Sequence, residues 1–294
     1  MELNPSQLDA LVAIADSGSF EAAARRLHIT PSAVSQRIRA LEASVGQVLV
    51  SRGTPCVPTP RGERLVQLGR QTRLLYDEAE AEIGAHTSVE LPVVVNADSL
   101  GTWFRDVLAE ASGWGSTAIS LHVEDEAYSQ ELLRRGDVLA AVTSDPNAVQ
   151  GCSVEPLGTL RYVAAVAPEF AARWRSGGGL DWAAMPVLVF NDKDEFQYQE
   201  LRRRGVRQRP PVVHRVPSTS DFYQAARLGL GWGMLPEPQA RADLAAGVLE
   251  RLSDDLVAVP LYWQCWRVHS PRLSELTAAV RRAARRHLFS PDSP

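Results

Sequence analysis

Between Thr30 and Arg39 the chain gathers side chains suited to reading the edge of a polar, anionic partner: Thr30, Ser32, Ser35, Gln36, Arg37 and Arg39. A Gln carboxamide presents a donor beside an acceptor, the complement of adenine N6 and N7. An Arg fork matches guanine O6 and N7 or a phosphate, and Ser hydroxyls serve either role. The spacing makes these residues one surface. Thr30 predicts a helix cap with Pro31 at the first position, where a missing N–H costs nothing. At 100° per residue Val34, Ile38 and Leu41 form an apolar face. Ser32, Gln36 and Arg39 then project from the opposite side, with Ser35 and Arg37 on its flanks. The plainer alternative is a solvated helix face. A short helix and tight turn immediately before this proline-started helix favour a recognition helix for a duplex major groove, with Arg52 beyond it placed for a phosphate.

A second set sits where strands end and helices begin: Asp98, Ser99, Glu124, Asp125, Thr143, Asp192 with Asp194 just beyond, Ser218, Thr219 and Ser220. Carboxylates there suit an ammonium or guanidinium, whereas hydroxyls and backbone N–H groups at helix starts suit a carboxylate. Such residues are equally common as plain helix caps, and Glu124 to Glu126 also read as a solvated turn. Taken together, an acid-rich site fits lysine, arginine or histidine better than an aromatic or dicarboxylic ligand.

Other chemistry finds little footing. There is no GxSxG and no HExxH, the six histidines are dispersed, and GLGWG does not complete GxGxxG. Cys56, Cys152 and Cys265 are scattered and match no metal spacing. No enzyme, metal or cofactor is expected. The arginines at 202–204 and at 281, 282, 285 and 286 read as solvated helix faces.

The net charge of −4 is unlike a nucleic-acid binder until it is resolved along the chain. Residues 25–52 carry five arginines (25, 26, 37, 39 and 52) against one acid, Glu42. A local basic face is what phosphate contact requires. The start MELNPSQLDALVAIADSGSF has no basic segment before its apolar residues, so no signal peptide is expected. No window has the roughly 18 uninterrupted apolar residues of a membrane span. A cytoplasmic protein without membrane association is the expectation.

The elements that must position these residues follow from periodicity. Leu8, Leu11, Val12 and Ala15 predict a helix over 5–17, closed by Gly18. Ser19 caps a short helix to about Leu27. Residues 46–58 turn β-like around Gly53 and Pro55, a small wing. From Thr59 to about Gly84 a long helix carries Leu65, Leu68, Thr72, Leu75, Ala79 and Ile83 at near-heptad spacing, with Gly69 as a weak point. Its stripe needs a partner, which a second copy supplies through Leu65, Leu68, Leu75 and Ala79; a tetramer stays open. Beyond His86–Pro92, strands and helices alternate. Strands are expected at 93–96, 118–123, 138–143, 162–166, 187–190, 212–216 and 232–235, with helices over 100–111, 128–135, 194–204, 220–228 and 272–289. That rhythm predicts two α/β lobes with parallel sheets. The expected divisions are 1–58, 59–85, a linker at 86–91, a first lobe of 92–161 plus 265–294, and a second lobe of 162–264.

The stretch SFEAAARRLHITPSAVSQRIRALEASVGQVLVSR, followed by TPRG, resembles the winged helix-turn-helix of LysR-type transcriptional regulators. Ala22 and Ala23, the Ser35–Gln36 step, the Leu41–Glu42 ending and the Thr-x-x-Gly start at Thr59 carry the resemblance. GLGWGMLPE (229–237) is similar to a strand and turn late in that family's effector domain. VVVNADSLGTW (93–103), VEDEAYSQELLRRGDVLAAVTS (123–144) and LYW (261–263) resemble the family's branch controlling lysine and arginine export, of LysG/ArgP (IciA) type. The resemblance implies an all-α winged helix-turn-helix, a long dimerising linker helix, and an α/β effector domain of two periplasmic-binding-protein-like lobes with a small effector between them. The chain would cross between lobes near Thr159–Arg161 and Gln264–Trp266. It further implies a double-stranded operator, a homodimer, RNA polymerase as an indirect partner and an amino-acid exporter gene as the target. In the wing, Gly53-Thr54-Pro55-Cys56 replaces a more basic run common in the family. An effector-independent architectural or replication-origin binder remains the alternative.

Overall fold

The computed structural model describes residues 3–84, 88–124 and 126–290; Asp125 and residues 85–87 of the expected linker region lie outside the described residues. Helices α1 (Pro5–Ser17), α2 (Phe20–Arg26) and α3 (Pro31–Val45) open the chain. Each starts on a side-chain cap. Asn4 accepts from Ser6 N at 2.9 Å, Ser19 from Ala22 N at 3.1 Å, and Thr30 from Ala33 N at 3.2 Å. Leu11, Ile14, Ala23, Val34, Ile38 and Leu41 bury their side chains together. This core presses the apolar side of α3 inward and leaves the polar side out.

Strands β1 (Val50–Ser51) and β2 (Val57–Pro58) pair antiparallel as the expected wing. Glu42 ties the wing to α3: its Oε1 accepts from Leu49 N at 2.9 Å and Val50 N at 3.4 Å. The long helix α4 (Pro60–Glu82) starts on Thr59, whose hydroxyl donates to Val48 O at 2.9 Å and accepts from Gly62 N at 3.1 Å. A Cβ on Gly62 would lie 2.1 Å from Leu49 O, so the Thr-x-x-Gly start is a steric requirement. Gly69 is not the weak point expected of it. A Cβ there would meet Val12 Cγ2 at 2.8 Å, so its bareness lets α1 and α4 approach closely. On α4, Val66, Leu74 and Glu78 face inward, whereas Leu68, Leu75, Tyr76 and Ile83 are exposed. Glu78 Oε1 accepts from Ser270 Oγ at 2.6 Å and Arg272 N at 3.0 Å, seating the helix on its own effector domain.

The remainder alternates as expected, with more elements than the pattern revealed. In chain order these are β3 (Val89–Val95), α5 (Ala97–Gly101), α6 (Arg105–Ala111), β4 (Thr117–Val123), α7 (Glu126–Arg135), β5 (Ala140–Thr143) and β6 (Cys152–Val166). Then follow α8 (Pro168–Arg173), the hairpin of β7 (Arg175–Ser176) and β8 (Gly179–Leu180), β9 (Val187–Val189), α9 (Phe196–Arg203), β10 (Val213–Arg215) and α10 (Thr219–Arg227). Last come β11 (Gly233–Pro236), α11 (Glu237–Ala245), β12 (Glu250–Trp266) and α12 (Pro271–His287).

The main sheet runs β11-β6-β12-β5-β3-β4. Strands β3, β4 and β5 are parallel, but β6 and β12 are long, antiparallel to each other, and extend from the first lobe into the second. The sheet is therefore mixed, where an all-parallel one was expected. Strands β9 and β10 form the parallel pair of the second lobe, and Val187 bridges to Trp232. Thr159 pairs with Pro260 midway along the two long strands. Gln264, expected at a crossing, instead pairs with Ala141 of β5 in the first lobe. It is fully buried there and holds a loop, accepting from Val149 N at 2.9 Å and donating to Asn147 O at 2.8 Å.

Two further expectations change. The single helix over 100–111 breaks into α5 and α6, because Trp103 and Phe104 are both drawn completely into the core. Most of the two arginine clusters are ion-paired rather than merely solvated. Arg281 meets Glu155 at 2.6 Å, Arg286 meets Asp106 at 3.0 Å, and Arg204 meets Glu200 at 2.9 Å.

Candidate functional site

Along α3, Ser32, Gln36 and Arg39 are exposed and Ser35 is half-buried. Ser32, Ser35 and Arg39 line a shallow groove completed by Pro31, Phe20 and Glu21 of α2, and Arg52, Gly53 and Cys56 of the wing. Arg39 Nε donates to Ser35 O at 3.3 Å, and the Arg52 guanidinium lies 5.5 Å over the Phe20 ring. Phe20 is thus a support for Arg52 that sequence reading missed, since a ring at a helix start reads as core. Thr30 and Pro31 build the helix start, and the Thr30 hydroxyl lies 2.9 Å from Ser32 Oγ. Arg37 turns another way, toward α1, where its Nη1 donates to Ser6 O at 3.4 Å. Together α3 and the wing offer hydrogen-bonding groups with two separate cations, Arg39 and Arg52, the arrangement a base edge and its flanking phosphates require.

Between the two lobes lies a cleft of about 520 Å³. The first lobe contributes Asn96 and Asp98 from the cap and first turn of α5, Glu124 after β4, Ser129 of α7, and Thr143 and Ser144 at the end of β5. The second contributes Phe190, Lys193, Asp194, Glu195 and Phe196, then Thr219 and Phe222 of α10, and Gln239 of α11. Tyr162 of β6 also lines it. Of the residues expected to bind an effector, Asp98, Glu124, Thr143 and Thr219 are brought together here.

Four others are not. Ser99 is completely buried behind the wall, where its N–H is capped by Asn96 Oδ1 at 2.8 Å. Asp192 is 81% exposed and pairs with Arg215 Nε at 2.7 Å. Ser218 is spent as the α10 cap, its hydroxyl donating to Asp221 Oδ2 at 2.6 Å, and Ser220 is exposed beside it. Asp125 falls outside the described residues. Tyr162 was missed because a tyrosine within a strand reads as core.

The electrostatics of the cleft centre on Asp98. Burial pushes its carboxyl up to about 6; the Tyr162 hydroxyl, donating to Oδ2 at 2.8 Å, pulls the other way, and Asp194 adds to the rise. Asp194 is also raised by burial, although it accepts from Phe190 N at 2.8 Å and Phe196 N at 3.2 Å. Burial, then the Asp98 charge, hold the Tyr162 phenol well above its ordinary value. The Asp194 charge thus disfavours the ionised form of Asp98 within the same cleft, and Glu195 does the same to Asp194. A cation beside Asp98 and Asp194 would lower both. With Glu124 and Glu195, four carboxylates face one lysine among the described lining residues. Phe190, Phe196 and Phe222 supply apolar walls for an aliphatic stem or guanidinium plane.

A winged helix-turn-helix, a long amphipathic helix and a two-lobed α/β domain with an interlobe cleft define a DNA-binding transcriptional regulator. The comparisons agree. Residues 5–63 match the family described as bacterial regulatory helix-turn-helix protein, lysR family, and residues 111–288 match the LysR substrate binding domain. The chain belongs to the LysR family of transcriptional regulators, which are not enzymes. It is 49% identical to the lysine export transcriptional regulatory protein LysG of Corynebacterium efficiens, over 96% of this chain and 98% of that one. Full-length LysG from Corynebacterium glutamicum with bound effector Arg superposes with a TM-score of 0.86 at 48% identity, covering 98% of this chain and 100% of that chain. ArgP from Mycobacterium tuberculosis gives 0.86 at 44%, covering 98% and 99%. No helix among the described residues is long and apolar enough to cross a membrane.

Proposed function

We propose that this regulator senses a free basic amino acid, arginine or lysine, in the interlobe cleft, and that the occupied cleft sets how the headpieces hold a partly palindromic operator. The observation that carries this is that Asp98, whose carboxyl is pushed up to about 6 beside Tyr162, and the raised carboxyl of Asp194 line the same cleft. A guanidinium or ε-ammonium among these carboxylates favours their charged forms, whereas an anionic or neutral effector does not. Lys193, on the exposed rim, is suited to the effector's α-carboxylate. That a LysG of similar sequence holds arginine as its effector supports the same reading.

Residues 1–58 act as the DNA-binding unit, and 59–85 as the dimerisation helix through Leu68, Leu75 and Ala79, with Leu65 at the headpiece end. The target is an amino-acid exporter gene, RNA polymerase is engaged indirectly, and the protein works in the cytoplasm. An effector-independent architectural or replication-origin role is not favoured, because such a protein needs no acid-lined cleft. Calorimetric titration with arginine, lysine and histidine tests the proposal. Heat and saturation with at least one are expected. Silence with all three, alongside intact operator binding, sinks it.

A further inference from the structure

We infer that Arg70 is a positioning residue that clamps the DNA-binding headpiece to the first effector lobe, so that α7 and β12 pass the state of the cleft to the recognition helix; the inference rests on the cleft being the effector site. Arg70 lies on α4 with its side chain only 16% exposed, and its guanidinium is shared between three elements. Toward the effector lobe, Nη1 donates to Asp137 Oδ1 at 2.6 Å and to Arg135 O at 2.7 Å, at the C-terminal end of α7. Toward the headpiece, Nη2 pairs with Asp16 Oδ1 on α1. Asp16 in turn holds Arg26, at the end of α2, at 2.6 Å. One fixed planar cation therefore joins α1, α4 and the α7 corner. A point charge cannot hold that geometry as well.

The α7 corner is wired to the cleft by two routes. Ser129, near the start of α7, lines the cleft, as does Glu124 just before that helix. The far end of α7 is pinned to β12: Trp266 Nε1 donates to Leu133 O at 3.3 Å, and a Cβ on Gly136 would lie 2.5 Å from the Trp266 ring. β12 is one of the two strands that extend between the lobes, and its Val259 and Leu261 line the cleft. The Gly136–Asp137 corner thus lies between the cleft and Arg70, while Glu78 fixes α4 separately to the start of α12.

An open groove borders this junction, although α1 and α4 themselves pack closely at Gly69. A cavity of about 960 Å³ lies between headpiece, α4 and the lobe; Asp16, Arg70, Asp137 and His122 line it, and Glu124 faces both it and the cleft. Directional ion pairs at the edge of such a groove can switch between arrangements that a packed core would forbid. By contrast, Arg73–Asp77 and Arg134–Glu131 stay within single helices and couple nothing.

The test uses the full-length protein, a duplex selected from a random library against it, and arginine as the probe. Operator affinity with and without arginine should differ by about fivefold or more in the wild type. In Arg70→Met and in Asp137→Asn that ratio should fall to within about twofold, while arginine affinity by calorimetry and the thermal midpoint are retained. Arg70→Lys should restore part of the ratio. Asp137→Asn leaves the Asp16 side of the clamp intact, so it carries the test if Arg70→Met folds poorly. Variants that respond to arginine as the wild type does overturn the clamp. A wild type that binds no arginine overturns the cleft reading beneath it.

Discussion

Asp98 shows how one buried side chain sets a pH dependence. Its carboxyl titrates near 6, so below that pH it is protonated and has lost the charge that meets a cation. Arginine should bind more weakly as pH falls from 7 to 5, approaching about tenfold per pH unit below the midpoint. Asp98→Asn should bind weakly throughout and flatten the profile, which calorimetry at several pH values would show. The same raised carboxyl makes the empty protein lose stability as pH rises from 3.8 toward 6, because the folded state holds the proton more tightly. Empty Asp98→Asn should therefore be more stable at pH 7, by on the order of 1–3 kcal/mol. Lys193 gives a second residue-scale prediction. If it meets the α-carboxylate, Lys193→Met should lower the preference for lysine over its decarboxylated diamine by about tenfold, the worth of a charged hydrogen bond. An unchanged ratio in competition binding would remove it from that role. On the DNA side, Gln36→Ala should flatten preference across operator variants, at about 1–3 kcal/mol for its base pair. Arg52→Ala should weaken all duplexes alike and reduce the salt slope by about one.

At the scale of elements, α4 has two unlike faces. Its inward face is satisfied by α1 through Gly69, by α7 through Arg70, and by the α12 start through Glu78. Its outward stripe keeps Leu68, Leu75, Tyr76 and Ile83 in water. An apolar stripe of that length on one helix is stabilised by a second copy. The double change Leu68→Glu, Leu75→Glu should give a folded monomer in sedimentation and abolish tight binding to a two-half-site duplex. A dimer that survives would place the interface elsewhere. The wing is held differently, to α3 by Glu42 and to α4 by Thr59 and the steric demand at Gly62, while Cys56 N donates to Gly18 O at 2.8 Å and ties its tip to the turn after α1.

For the whole molecule, two lobes share β6 and β12, and the cleft lies where the lobes meet. On the proposed reading, closure of the lobes on arginine would bring second-lobe groups toward Asp98 and Glu124 of the first and strain or relax the α7 corner. Binding to the folded state alone should stabilise the protein by about 2.7 kcal/mol at a hundredfold excess over Kd. A thermal-shift series with arginine, lysine and glutamate should rise with the two cations and stay flat with the anion. Equal shifts for glutamate would contradict an acid-lined site.

The headpiece is legible in the sequence, because its information is local. Caps at Ser19 and Thr30, proline at the first turn, and a 3.6-residue apolar stripe fix each helix and so decide which side of α3 faces out. The cleft was only partly legible. Strand-end acids could be located, but Asp98 and Asp192 look alike in sequence; burial beside Tyr162 separates them, since Asp192 is held in solvent by Arg215. Ser99 and Ser218 likewise offer the same signal as Thr219 and differ only in being buried or used as a cap. The mixed sheet, the cleft role of Tyr162 and the Arg70 junction depend on segments far apart in the chain, such as Asp16 with Arg70 and Asp137. No local pattern encodes such pairings. They exist only once tertiary packing has brought the elements together.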